Sequence, residues 1–194
     1  MRAVFLDKDG TLVDDVPYNV DPALLTLARN AGPALRLLRS LGYRLYVVSN
    51  QSGVARGLFD EAALGPLFAH LEALLEGEGV ALDGVFWCPH HPQGVVEPYA
   101  LDCVCRKPRP GMLQRAATLH GVALAESWMV GDILDDVEAG RRAGCRTALI
   151  DNGNETEWLL SPQRMPHLYA PDLLAAAQGI QQHDAQRRAG LELP

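Results

Sequence analysis

The stretch Ala3-Val4-Phe5-Leu6-Asp7-Lys8-Asp9-Gly10-Thr11 opens with four apolar residues and stops abruptly on two acids and a glycine. An unbroken apolar run, with no polar alternation, suits a strand covered on both faces, as in parallel sheets. The same grammar recurs down the chain. Leu45-Tyr46-Val47-Val48 ends at Ser49, Gly84-Val85-Phe86-Trp87 at Cys88, and Trp128-Met129-Val130 at Gly131-Asp132, while Thr147-Ala148-Leu149-Ile150 is a fifth such run. Helical patterns lie between them. Pro33 suits the first turn of a helix striped by Leu35, Leu38 and Leu41 and stopped at Gly42; Asp60 suits the cap of one carrying Leu64, Leu67, Leu71 and Leu75 up to Gly77. Pro110 opens a third helix, through Leu113, Ala117 and His120, that ends at Gly121, and a fourth spans Leu134 to Ala143 before Gly144. Strands alternating with helices predict an α/β protein, a Rossmann-like three-layer sandwich on a mainly parallel five-stranded core sheet with right-handed crossovers.

The whole chain has 194 residues, 48% of them hydrophobic and 21% charged, enough for one well-filled core. A single domain is expected over residues 1–182, with Leu173–Gln182 as the last helix and 183–194 as a polar, frayed tail. The segment 21–32 reads equally as helix or extended chain, and 152–170 reads as irregular. The balance of 17 basic against 24 acidic residues, net −7, disfavours nucleic-acid binding. No apolar run approaches the ~20 residues of a membrane span, and the charged start Met1-Arg2 through Asp9 is unlike a secretory leader. The expectation is a cytoplasmic monomer with no membrane or nucleic-acid partner. Only about ten residues separate Ser49 from the helix opening at Asp60, so no large cap domain is expected.

In open parallel sheets, ligands bind beyond the carboxyl ends of the strands. The polar residues there are Asp7 and Asp9, Ser49 and Asn50, and Asp132, Asp135 and Asp136. Taken singly, each has a bland reading: a turn, a helix cap, a solvated charge. Carboxylates converging at one sheet edge repel one another unless a cation sits among them, and an oxygen-only donor set suits Mg²⁺. A carboxylate can also act as a nucleophile toward phosphorus.

Asp7-x-Asp9-Gly10-Thr11, Ser49, Lys107 and Gly131-Asp132-x-x-x-Asp136, in that order, resemble the four motifs of the haloacid dehalogenase superfamily of phosphotransferases. The resemblance implies that Asp7 is the nucleophile and that Asp9 is the acid, then the base. It implies that Ser49 and Lys107 hold the transferring phosphoryl group. Mg²⁺ would be bound by Asp7, Asp132 and the main-chain carbonyl of Asp9, with Asp136 as an auxiliary acid.

A second cluster involves sulfur. Cys88-x-His90 and Cys103-x-Cys105 supply four N/S donors from two short knuckles, the pattern of a closed, structural Zn²⁺ site, with His91 as a competing ligand. Cys105 directly precedes Arg106 and Lys107, so zinc would fix the loop that carries both cations. Cys145 reads as a small core residue. The runs Ser49 to Gly57, Cys88 to Pro92 and Cys105 to Met112 are similar to the subgroup of D-glycero-D-manno-heptose 1,7-bisphosphate 7-phosphatases, whose near relatives are the histidinol-phosphatase domains. That resemblance implies a Mg²⁺-dependent hydrolase of a small phosphorylated sugar. It implies substrate contacts from Asp15, Val16, Pro17, Tyr18, Ser49, Asn50, Gln51, Ser52, Arg106 and Lys107. Histidinol phosphate or another small metabolite phosphate is the alternative substrate. The chain departs from the subgroup at Ile133, where a lysine is frequent, and at Asp14-Asp15-Val16-Pro17. A zinc-stabilised binding module that has lost catalysis is the reading from another class, and the intact Asp7, Asp9, Lys107 and Asp132 speak against it.

Overall fold

The computed structural model describes residues 1–190. Its strands are β1 (Ala3–Leu6), β2 (Arg44–Asn50), β3 (Gly84–Cys88), β4 (Trp128–Gly131), β5 (Arg146–Ile150) and β6 (Leu168–Ala170). The helices are α1 (Ala31–Ser40), α2 (Leu64–Gly77), α3 (Gly111–His120), α4 (Leu134–Ala143) and α5 (Leu173–Arg188). All strands pair in parallel, in the order β3-β2-β1-β4-β5-β6.

The side-chain alternation of β1 shows how the layers form. Val4 and Leu6 pack with the buried faces of α1, α2 and α5, whereas Ala3 and Phe5 face Met112, Leu113 and Ala116 of α3. Every residue of β1 is therefore buried, which is why its sequence shows no polar alternation. Leu134 and Val137 of α4 close over Leu149 on β5. The order of strands reverses direction between β1 and β4. The two strands stay paired to their carboxyl ends, and Asp7 and Asp132 follow them directly at this switch in the winding.

Between β1 and α1 the chain makes only a short excursion, with bridges from Asp9 to Val13 and from Val13 to Leu27 and one 3₁₀ turn at Pro22–Leu24. The segment left open between helix and extended chain is neither throughout: a 3₁₀ turn at Pro22–Leu24, a single bridge residue at Leu27 and a turn lead into α1 at Ala31. No separate cap domain is inserted among the described residues.

Two expectations need correction. The sheet has six strands rather than five: the three-residue β6 pairs with Ala148–Ile150 at the edge, with Tyr169 exposed, too short a segment to mark itself in sequence. The last helix also continues past Gln182 to Arg188. Asp184, in what read as a polar tail, is buried because it accepts from Tyr43 Oη at 2.9 Å and from Arg2 Nη1 at 2.7 Å. A carboxylate is expensive to bury alone and tolerable with a cation and a hydroxyl donor, and both partners come from distant parts of the chain. Residues 191–194 of the expected tail lie outside the described residues.

Candidate active site

Asp7 leaves β1 with its backbone N–H still bonded to the Val130 carbonyl, at 2.9 Å, so the end of β4 sets its position. Asp7, Asp132 and Asp136 each offer a carboxylate oxygen, all within 4.8 Å of one another, and all three residues are buried. Lys107 enters this cluster from the loop before α3. Its side chain is 2% exposed; Nζ pairs with Asp7 Oδ1, lies 2.6 Å from Asp136 Oδ1 and donates to the Val48 carbonyl at 2.9 Å. Asn50 aligns the lysine: its Oδ1 accepts from the Lys107 N–H at 3.0 Å and its Nδ2 donates to the Lys107 carbonyl at 3.1 Å.

Electrostatics follow from crowding. Burial, then the charge of Asp7, pushes the Asp132 carboxyl up to about 7. Burial pushes Asp136 up to about 8, although Lys107 opposes the shift. Burial alone would lower Lys107, but Asp136 and Asp7 outweigh it and hold the ammonium well above its ordinary range. With all three carboxyls ionised, one lysine leaves two negative charges uncompensated, which is why burial and mutual repulsion raise Asp132 and Asp136 when no cation is bound. An all-oxygen donor set with that surplus fits a hard divalent cation such as Mg²⁺. Glycine is required beside it: Gly10 has φ +76°, and a Cβ there would lie 2.0 Å from Asp132 Oδ2.

The Asp9 carboxylate stands outside that cluster. It pairs with the buried Lys8 and takes a longer contact, 3.3 Å, from Gln51 Nε2. Burial raises its pKa, with Lys8 pulling the other way. The same Gln51 nitrogen donates to Ser49 Oγ at 2.7 Å, which leaves the serine hydroxyl hydrogen free for another acceptor. A recess of about 110 Å³ beside Asp9 is lined by Asp15, Tyr18, Asn50, Gln51 and Ser52. Val16 and Pro17 are exposed and do not line it. Arg106 is half-buried and its Nη1 is buried with no hydrogen-bond acceptor, a cationic donor in want of an anion.

Cys88, His90, Cys103 and Cys105 also converge. Their Sγ and Nδ1 atoms lie within 4.8 Å of one another, with Sγ–Sγ separations of 3.0 Å (Cys88–Cys105), 3.2 Å (Cys103–Cys105) and 3.4 Å (Cys88–Cys103). His90 Nδ1 is 3.3 Å from Cys105 Sγ. Hydrogen bonding from Cys88 lowers the Cys105 thiol to about 5 despite its burial, so a thiolate is within reach at neutral pH. Three sulfurs and one imidazole fit Zn²⁺. His91, the competing ligand, turns away: its Nδ1 accepts from the Gln93 N–H at 3.1 Å and its Nε2 meets Arg56 at 3.1 Å. Cys145 is buried, as expected.

Sequence reasoning missed the loop after β5. Asn154 Nδ2 donates to Asp132 Oδ2 at 2.7 Å, Asn152 Nδ2 donates to the Gly10 carbonyl at 2.8 Å, and Glu155 Oε2 accepts from the Leu134 N–H at 2.6 Å. The signal was present: these polar residues follow a parallel strand, as Asp7 and Asp132 do.

Known proteins fit this geometry. The HAD-hydrolase-like family model matches residues 104–176. The D-glycero-beta-D-manno-heptose-1,7-bisphosphate 7-phosphatase of Salmonella typhi is 40% identical over 168 residues, covering 82% of this chain and 89% of that protein. The protein of that name from Haemophilus ducreyi is 43% identical over 150 residues, 77% of this chain and 82% of its own. This chain belongs to the heptose-bisphosphate phosphatase family of HAD-like hydrolases. A crystal structure from this family, the D,D-heptose 1,7-bisphosphate phosphatase of B. bronchiseptica complexed with magnesium and phosphate, superposes with a TM-score of 0.76. It is 30% identical and spans 94% of this chain and 99% of that one. Heptose-bisphosphate phosphatase relatives thus match the chain along nearly their whole length, in sequence and in fold.

Proposed function

We propose that this chain hydrolyses the 7-phosphate of D-glycero-D-manno-heptose 1,7-bisphosphate through a phosphoryl-Asp7 intermediate. The observation that carries the reading is the 40% identity spread over 89% of the Salmonella enzyme. It is joined by the convergence of Asp7, Lys107, Asp132 and Asp136 at the end of β1 and β4.

In the first half-reaction an Asp7 oxygen attacks phosphorus in line, an O–P bond forms on Asp7, and the bond from phosphorus to the sugar oxygen breaks. Asp9, whose carboxyl burial keeps proton-bearing more readily, gives that oxygen its proton. In the second, Asp9 takes a proton from water as the water oxygen attacks phosphorus, releasing inorganic phosphate and restoring the Asp7 carboxylate. Ser49 Oγ and Lys107 Nζ donate to the phosphoryl oxygens as charge grows on them. Mg²⁺ held by Asp7, Asp132 and the Asp9 carbonyl would supply the positive charge that lets an anionic nucleophile meet an anionic phosphate. Asp136 acts through Lys107, holding its ammonium in place.

The recess beside Asp9 takes the sugar between Asp15, Tyr18 and the Asn50–Ser52 turn. Arg106, with an unsatisfied guanidinium nitrogen, reaches the second phosphate through its fork. Ile133 brings no charge, so recognition rests on the zinc loop and the loop after β1. The reading takes the protein as a cytoplasmic monomer; no helix among the described residues is long and apolar enough to cross a membrane.

The test is kcat/KM for both anomers of the heptose 1,7-bisphosphate beside histidinol phosphate. A preference of about tenfold or more for one bisphosphate anomer is expected, roughly 1.4 kcal/mol of transition-state discrimination. Equal, feeble turnover of all three, or preference for histidinol phosphate, contradicts the substrate.

Zinc, in this reading, orients Arg106 and Lys107 without touching the chemistry. Cys105→Ser is therefore expected to lower bound zinc from one ion per chain and to lower kcat/KM about ten- to hundredfold. Metal analysis beside steady-state kinetics checks it, and full activity in a zinc-free variant would contradict it.

A further inference from the structure

We propose that Asn154 is a positioning residue for the divalent-cation site, its amide fixing the carboxylate of Asp132; this rests on reading Asp132 as a cation ligand. Of the side-chain contacts to the two oxygens of Asp132, the one to Oδ1 is long, 3.4 Å from Thr11 Oγ1, whereas Oδ2 takes the Asn154 amide at 2.7 Å. By distance the amide is the firm anchor and the threonine the weak one. A carboxylate that offers one oxygen to a hard cation is oriented by whatever holds the other.

The turn that delivers Asn154 is itself tied down, and each tie grips a part of the site. Asn152 Oδ1 accepts from the Asn154 N–H at 3.1 Å, and Asn152 Nδ2 donates to the Gly10 carbonyl at 2.8 Å, inside the Asp7–Thr11 motif. Glu155 Oε2 accepts from the Leu134 N–H at 2.6 Å, the first residue of α4, two residues after Asp132. Ile133 stands at the cap position of that helix and has no side-chain acceptor, so Glu155 takes an orphan N–H and sets a negative charge at the positive end of α4. Gly10 completes the fit: a Cβ there would meet Asn154 Nδ2 at 2.4 Å, so the missing side chain makes room for the amide. Asn154 is also exposed, so its truncation leaves the core untouched.

The test measures Mn²⁺ binding to the full-length protein by the loss of the free-ion EPR signal, with no substrate present. Asp132→Asn is expected to abolish tight binding. Asn154→Ala, and Asn154→Ser whose side chain is too short to reach Asp132, are each expected to raise the Mn²⁺ Kd about tenfold. Melting of the metal-free variants stays within about 2 °C of the parent, as for a surface change. The Mg²⁺ concentration for half-maximal activity rises in parallel, while kcat at saturating Mg²⁺ and KM for the phosphorylated substrate hold. Unchanged Mn²⁺ affinity in both Asn154 variants, with Asp132→Asn abolishing binding, overturns the proposal. Undiminished binding by Asp132→Asn overturns instead the reading of Asp132 as a ligand.

Discussion

Asp7→Asn is expected to stop phosphate release, with kcat down by about 10⁴ or more, the scale seen when a covalent nucleophile is removed. The amide matches the carboxylate in shape but is a far weaker nucleophile. Stability is expected to move the other way. Asp7 lies among Asp132 and Asp136 and raises the pKa of both, so deleting its charge relieves repulsion while Asp136 still satisfies Lys107. A melting temperature at or above that of the parent, with activity gone, separates lost chemistry from a lost fold. Residual turnover within about a hundredfold of the parent would place the nucleophile elsewhere.

Lys107→Met is expected to cost both activity and stability. Methionine fills much the same volume but carries no charge, and Lys107 is the only cation at the Asp7–Asp132–Asp136 cluster among the described residues. Removing one partner of a buried ion pair leaves the other's charge uncompensated, typically worth ~3–5 kcal/mol, or roughly 10 °C in melting temperature for a chain of this size. The sign with pH follows from the carboxylates. Asp136 already sits at about 8 with the lysine present. Without the lysine its folded pKa rises further above the unfolded one. The variant therefore keeps most stability at low pH, where the acid is protonated in both states, and loses it progressively as pH rises through the neutral range. Losing a preorganised donor to the phosphoryl oxygens lowers kcat about 10²–10³-fold in addition. Urea midpoints at acid and neutral pH, in the absence of divalent cations, check the first part and steady-state kinetics the second. Arginine is not expected to rescue, since its planar fork does not fit a pocket built around a point charge.

What the sequence made legible is what local chemistry determines. β1, β2 and β4 are buried on both faces and read as apolar runs, and a parallel sheet puts the residues after such runs at a common edge. Asp7, Ser49 and Asp132 could therefore be named before any coordinates. α4 was bounded correctly because Gly144, at φ +86°, ends it. What stayed hidden depends on partners far along the chain. Asp184 looks solvent-bound until Arg2 and Tyr43 are placed against it. Asn154 looks like loop until the segment after β5 folds back over Gly10 and Asp132. His90 and His91 are equivalent on paper, and it is Gln93 and Arg56 that engage the second one. β6 buries only Ala170 fully, too little for a pattern.

The central claim is that one Asp7 oxygen is esterified by phosphate in every turnover. Crystals grown with Mg²⁺ and beryllium fluoride, which mimics a phosphoryl group on a carboxylate, test it most directly. Tetrahedral density continuous with Asp7 Oδ, within reach of Ser49 Oγ and Lys107 Nζ, is the predicted result. A fluoride complex bonded to Asp9, or held in the site without a bond to Asp7, would contradict it.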